Sequence, residues 1–77
     1  MMKILISDKL EKEGVDILTQ IKDFQVDCRY DLTPDQLKEI IRDYDALIIR
    51  SGTHVTAEII EAADRLKYIG RAGVGLD

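Results

Sequence analysis

The chain is poor in the residues that staple, stiffen or bulk out a fold. It has one cysteine, one proline, no tryptophan, three tyrosines and one phenylalanine in 77 residues. Cys28 alone cannot close an internal disulfide, and no histidine or second cysteine stands near it to share a metal. It reads as a small core or edge residue, and no metal is expected. No apolar run approaches the ~20 residues that cross a bilayer. The opening Met-Met-Lys-Ile-Leu-Ile-Ser-Asp meets a charge too soon for a secretory signal, so the expected location is cytoplasmic, without a membrane partner. Basic residues are outnumbered 11 to 15, giving a net charge of −4. That balance argues against nucleic acid as a partner. What remains is ordinary for a globular protein, 45% hydrophobic and 34% charged, and short enough for one small domain.

Apolar runs and helical repeats alternate along the chain. Lys3 to Ser7 reads as a buried parallel strand. Leu10, Gly14, Val15, Ile17, Leu18 and Ile21 recur at helical spacing and predict a helix over residues 9–22, with Asp8 as N-cap and Glu11 as its capping-box partner. Residues 24–30, Phe-Gln-Val-Asp-Cys-Arg-Tyr, alternate as an edge strand does. Thr33, Pro34, Asp35 and Gln36 announce a second helix with a capping box and proline at N1, and Leu37, Ile40, Ile41 and Tyr44 form its inner stripe. Residues 45–50 read as a central strand. Thr56 caps a helix at 57–63 with Ile59, Ile60 and Ala63 inward, and residues 66–71 give a fourth strand. This alternation specifies an α/β fold, a doubly wound parallel sheet with helices on both faces. The edge character of strand 2 favours the flavodoxin-like order 2-1-3-4.

Ligands of such sheets bind beyond the carboxyl ends of the strands. Three loops lie there: Ser7-Asp8, Arg50 to His54, and Gly70 to Asp77. Arg50 ends an apolar run, where a guanidinium needs an anion or a local acid such as Asp8. Ser51, Gly52 and Thr53 add hydroxyls and a close backbone approach. The stretch Gly70-Arg71-Ala72-Gly73-Val74-Gly75 is either an anion-binding nest or a plain turn. Its spacing is not G-x-G-x-x-G, so it is no dinucleotide fingerprint. His54 has no acid at an obvious orienting position and reads as a surface loop residue. A phosphoreceiver site would require clustered acids and an aspartate where Arg50 stands. An FMN site would require a hydroxyl- and glycine-rich loop in place of Ser-Asp-Lys-Leu-Glu.

The segments KILISDKLEKEGVDIL, LTPDQLKEII and DALIIRSGTHVTAEIIEAADRLKYIGRAGVGLD resemble, in one register over essentially the whole chain, the N-terminal part of the D-isomer-specific 2-hydroxyacid dehydrogenases. IIRSGTHVTAEII followed by GRAGVGLD carries most of the specificity. The likeness is to the branch that oxidises 3-phosphoglycerate to 3-phosphohydroxypyruvate at the entry to serine synthesis. The resemblance implies a substrate-binding domain of flavodoxin-like fold, with a Rossmann domain for NAD inserted later in the chain. It implies that Arg50 and Ser51 lie in the substrate cleft, that Arg71 holds an anionic group of the substrate, and that backbone amides of Gly73, Val74 and Gly75 bind its carboxylate. It also implies that Val74 lies near the nicotinamide.

The family's catalytic arginine, glutamate and histidine, and its G-x-G-x-x-G loop, fall beyond position 77. Residues 1–77 are therefore expected to be a partial substrate-binding domain, four strands cut before a fifth. The chain alone is expected to hold no catalytic residue, to bind no NAD and to be inactive, its partners being a small anionic substrate and the rest of a parent chain. An open edge at strand 4 predicts a homo-oligomer, through edge pairing or an exchanged element. The alternative is a stand-alone or engineered flavodoxin-like scaffold without activity.

Overall fold

The computed structural model describes residues 1–71. The expectations for Gly73, Val74 and Gly75 fall outside them. Strand β1 (Met2–Ile6) leads to helix α1 (Lys12–Thr19), β2 (Phe24–Cys28), α2 (Pro34–Ile40) with a 3-10 turn (Ile41–Asp43), β3 (Ala46–Ile49), α3 (Ala57–Ala62) and β4 (Tyr68–Arg71). The strands form one parallel sheet in the order β2-β1-β3-β4, as the edge and central patterns predict.

The pleat divides the core in two. Leu5 and Leu47 point to one face, where Leu37, Ile41, Tyr44 and Ile59 of α2, the turn and α3 close over them. Ile4, Ile6 and Ala46 point to the other, where Leu10, Val15 and Leu18 of the α1 region pack. Leu5, Ile6, Ile41 and Leu47 are completely buried. Fully burying a side chain of that size contributes about 1.5–3 kcal/mol, so these four positions carry much of what holds so small a sheet together.

Local signals succeed where the partners are local. Thr33 Oγ1 accepts the Gln36 N–H at 3.2 Å while Gln36 Oε1 accepts the Thr33 N–H at 2.9 Å, closing the expected capping box around Pro34. Thr56 Oγ1 accepts the Ile59 N–H and starts α3. The first helix departs from expectation. It begins at Lys12, its N-cap position is Glu11, and no side chain caps it. Asp8 is committed elsewhere, as described below. Val15 and Leu18 face the sheet, while Ile17, about 200° around the helix from Val15, and Ile21, beyond the end of α1, stay 64% and 40% exposed. Ile60 is likewise 55% exposed rather than inward: it lies one residue, roughly 100°, around α3 from the buried Ile59.

Asp45 fastens the amino-terminal end of the sheet. Its Oδ2 accepts the Lys3 N–H at 2.9 Å, its N–H donates to the Lys3 carbonyl at 2.8 Å, and its own carbonyl accepts the Lys67 N–H at 2.7 Å. Arg65 Nη2 lies 3.4 Å from Oδ1. The Lys3 amide, with Arg65 and Lys67 nearby, holds the Asp45 carboxyl below its usual pKa despite the opposing effect of burial. One residue, through its carboxylate and its backbone, thereby ties β1, β3 and the entry to β4. Among the described residues no helix is long and apolar enough to cross a membrane.

Candidate functional site

The carboxyl ends of β1 and β3 lie side by side because the two strands pair directly, Ile6 level with Ile48. The loops that leave them, Ser7-Asp8 and Arg50 to Thr53, are consequently neighbours. Asp8 organises the pair. Its Oδ2 accepts the Arg50 N–H at 2.7 Å and the Thr53 N–H at 2.9 Å. Burial pushes its carboxyl upward, but hydrogen bonds from Arg50, Thr53 and Gly52 outweigh that and hold it below its ordinary value of 3.8. Beneath, Ser7 Oγ and Thr53 Oγ1 share a hydrogen bond of 2.8 Å, with Ser7 buried. A methyl group on Gly52 would come within 2.8 Å of Asp8 Oδ1, so the loop draws this close to the carboxylate because residue 52 has no side chain.

This arrangement settles which donors are free. The backbone amides of the Arg50–Thr53 loop could have formed a nest for an anion, but those of Arg50 and Thr53 are spent on Asp8. What the loop presents outward is the exposed Ser51 and the half-buried Arg50. The Arg50 guanidinium does not pair with Asp8. It reaches over the α1 side of the sheet, where Nη1 donates to the Lys9 carbonyl at 3.4 Å. That single long contact leaves most of its fork of donors unused.

Arg71 ends β4, exposed, and its Cα pairs with Ile49. It therefore shares the carboxyl-terminal rim with Arg50, one residue out of step. Ile49 packs on the α2–α3 face, and side chains at paired positions share a face. Arg71 accordingly leaves toward α3 and Arg50 toward α1. The two arginines flank the sheet end from opposite sides.

A cleft of about 370 Å³ opens on the α2–α3 side of the same rim, lined by Ser7, Asp8, Asp31, Thr53, His54 and Thr56 among others. His54, read from the sequence as a plain loop residue, is exposed but forms part of this wall. The sequence signal for it was its place a few residues past the end of a central strand. Arg50 and Ser51 do not line this cleft. Asp31 enters the wall with φ 59°, a left-handed conformation that aspartate tolerates better than most residues. Among the described residues no group of histidine, cysteine and acidic side chains is placed to hold a metal ion.

A parallel sheet of this order, with an arginine at the end of each of two neighbouring strands, defines an α/β domain with basic groups at its carboxyl rim, where such sheets take their ligands. Residues 4–77 match the model of the D-isomer specific 2-hydroxyacid dehydrogenase catalytic domain, and the chain belongs to that family. It is 54% identical over 76 residues to D-3-phosphoglycerate dehydrogenase 2, chloroplastic, of Arabidopsis thaliana, covering 97% of this chain and 12% of that protein. It is 47% identical over 77 residues to D-3-phosphoglycerate dehydrogenase of Synechocystis, covering 100% of this chain and 14% of that one. Hydroxypyruvate reductase of Thermotoga maritima is 43% identical over 75 residues, 97% of this chain and 24% of its own length. Among solved structures, a protein of Pyrococcus horikoshii OT3 superposes with a TM-score of 0.87 at 28% identity, over 100% of this chain and 22% of that one. The chain thus spans between 12% and 24% of the length of these relatives.

Proposed function

We propose that this chain forms the opening strands of the substrate-binding domain of an NAD-dependent D-3-phosphoglycerate dehydrogenase, a cytoplasmic enzyme that oxidises 3-phosphoglycerate to 3-phosphohydroxypyruvate for serine synthesis. One observation carries the reading: proteins of that name match the chain at 47–54% identity over essentially all of it. In this reading Arg50, Ser51 and Arg71 bind the anionic groups of the substrate, with the backbone of Gly73, Val74 and Gly75 beside them, and Val74 nearest the nicotinamide.

The described residues do not fit a dinucleotide. No glycine run among them opens a helix: α1 follows Asp8-Lys9-Leu10-Glu11, and α3 follows a loop with the single glycine Gly52. NAD and the group that accepts the hydroxyl proton belong, in this proposal, to other parts of a longer chain. The contribution of these residues is electrostatic and positional. Asp8 takes the Arg50 and Thr53 amides and fixes the Arg50 backbone, so the guanidinium is offered to a carboxylate or phosphate from a braced position.

The test is a chimera. Residues 1–77 replace the matching segment of the Synechocystis enzyme. The expected product oxidises 3-phosphoglycerate with NAD, and Arg50→Ala in it raises KM roughly tenfold to a hundredfold through the lost charge-assisted pair. A chimera that folds but acts only on hydroxypyruvate or glycerate would overturn the substrate assignment. The 77 residues alone are expected to reduce no NAD and to bind 3-phosphoglycerate at best weakly by calorimetry. Turnover by this chain alone would refute the division of labour.

A further inference from the structure

Two polar residues among those described are buried, Ser7 at 4% exposed and Asp45 at 8%. Asp45 belongs to the far end of the sheet. Ser7 lies at the rim, directly before Asp8. A buried hydroxyl needs a hydrogen-bond partner. Ser7 Oγ meets Thr53 Oγ1 at 2.8 Å, 46 residues away in the chain.

This bond differs from the contacts that Asp8 makes. Ser7 still belongs to the sheet, because its N–H donates to the Ile48 carbonyl of β3 at 3.1 Å. Its side chain stands two residues after Leu5 and leaves on the same α2–α3 face. Ser7 and Thr53 both line the cleft on that side. The Arg50 guanidinium leaves on the opposite face and reaches Lys9. The Arg50–Thr53 loop is therefore pinned on one face of the sheet while its charge projects from the other. Asp8 lies past the end of β1 and is only half-buried, so its bonds compete with water. Buried Ser7 shields its own side of the bond with Thr53. Thr53 is also branched at Cβ, so its χ1 is stiff and a held hydroxyl holds the backbone behind it.

We propose that Thr53, gripped by Ser7, is a positioning residue for substrate binding. The hydroxyl pair carries the frame of the sheet into the loop and sets where Arg50 and Ser51 meet an anionic group of the substrate. This rests on the reading that Arg50 and Ser51 bind the substrate. Thr53 acts through them and makes no substrate contact of its own.

Steady-state kinetics of the full-length chimera test this. KM is measured on whichever 2-hydroxy acid that enzyme oxidises, so a wrong substrate and a wrong role for Thr53 give different results. Thr53→Val keeps the shape of the side chain and removes the hydroxyl. It should raise KM about threefold to tenfold, the worth of one hydrogen bond, with kcat moving less. Thr53→Ser returns the hydroxyl and should recover most of that loss. In an Arg50→Ala background Thr53→Val should add little to KM, since the charge it positions is gone. Ser7→Ala removes the same bond from the strand side and should raise KM by a similar factor, so the test stands even if the valine variant does not fold. Thermal unfolding of each variant separates folding from binding. A KM that stays with the parent in both Thr53→Val and Ser7→Ala, whether or not Tm falls, would overturn the proposal. So would an equal rise in the Arg50→Ala background.

Discussion

Replacing Asp8 by alanine tests whether one carboxylate braces the anion site. It removes the acceptor of the Arg50 and Thr53 amides, at 2.7 and 2.9 Å. A hydrogen bond to a charged group contributes about 1.5–3 kcal/mol when buried. Asp8 is only partly buried, so water recovers about half of that, and the two bonds together leave a cost of roughly 1.5–3 kcal/mol. For a domain whose total stability by size is about 4–12 kcal/mol, the loss is large. Each kcal/mol moves Tm by about 4–8 °C at this length. The effect carries a pH signature. The folded state holds the Asp8 carboxyl below 3.8, so its contribution is complete above that value and fades as pH falls through the lowered folded one. Urea unfolding of parent and Asp8→Ala should therefore show the full gap at neutral pH and a closing gap below about pH 4. Gly52→Ala supplies the second arm. Its new methyl meets Asp8 Oδ1 at 2.8 Å, a cost of about 1–2 kcal/mol that should largely disappear in the Asp8→Ala background, where the opposing oxygen is gone. A gap that does not change with pH, or Gly52→Ala costs equal in both backgrounds, would refute the bracing role.

Other substitutions probe the frame beneath the site. Tyr44 Oη donates to Asp27 Oδ2 at 2.7 Å from a buried ring, and Tyr44→Phe should cost about 1 kcal/mol in urea unfolding. Burial and the Asp27 carboxylate push the Tyr44 hydroxyl up to about 12; its stabilising contribution is whole below the ordinary tyrosine value of 10.0 and is lost as pH rises from there through about 12, which ultraviolet titration of the chain against Tyr44→Phe would show. Thr33→Ala breaks the capping box and should lower stability by about 1 kcal/mol, with loss of helical signal confined to one short helix. Leu47→Ala opens a cavity at a completely buried position on the α2–α3 face and should cost about 2–5 kcal/mol, which a calorimetric scan would register as a large fall in Tm.

How much of this was legible in the sequence depends on where each residue finds its partners. The capping box at Thr33 and Gln36 is three residues wide, and the sequence declares it fully. Hydrophobic patterning favours the strand order without deriving it: the central runs at 4–6 and 46–49 are apolar throughout and Phe24 to Cys28 alternates, while which strands pair is set by long-range contacts. Asp8 shows the opposite case. The local rule made it a helix cap, since a carboxylate three residues before a glutamate satisfies the capping pattern. Amides 42 and 45 residues away won it instead, and the helix started later, uncapped. Asp45 was invisible for the same reason, its partners Lys3 and Arg65 being 42 and 20 residues distant. Ile17 and Ile60 lie off the inner stripe, about 200° around the helix from Val15 and about 100° from Ile59, although both are apolar.

The two arginines mark the limit of linear reading at the site itself. Each ends a strand, so the sequence makes them two halves of one anion site. The pairing of Ile49 with Arg71 sets them one residue out of step, and the pleat then sends Arg50 over α1 and Arg71 toward α3. The two side chains therefore set out from opposite faces of the sheet. A ligand that engages both must straddle the end of the sheet, with negative charge at each of its extremities. In the proposed function the two groups are the carboxylate and the phosphate of 3-phosphoglycerate, whereas a monoanionic hydroxy acid offers only one. In the chimera, losing either arginine should therefore penalise 3-phosphoglycerate more than glycerate, and the gap between the two substrates should narrow in KM. Equal losses for both substrates would mean that the arginines act on one anionic group from a single side, against the divergence that the strand register imposes.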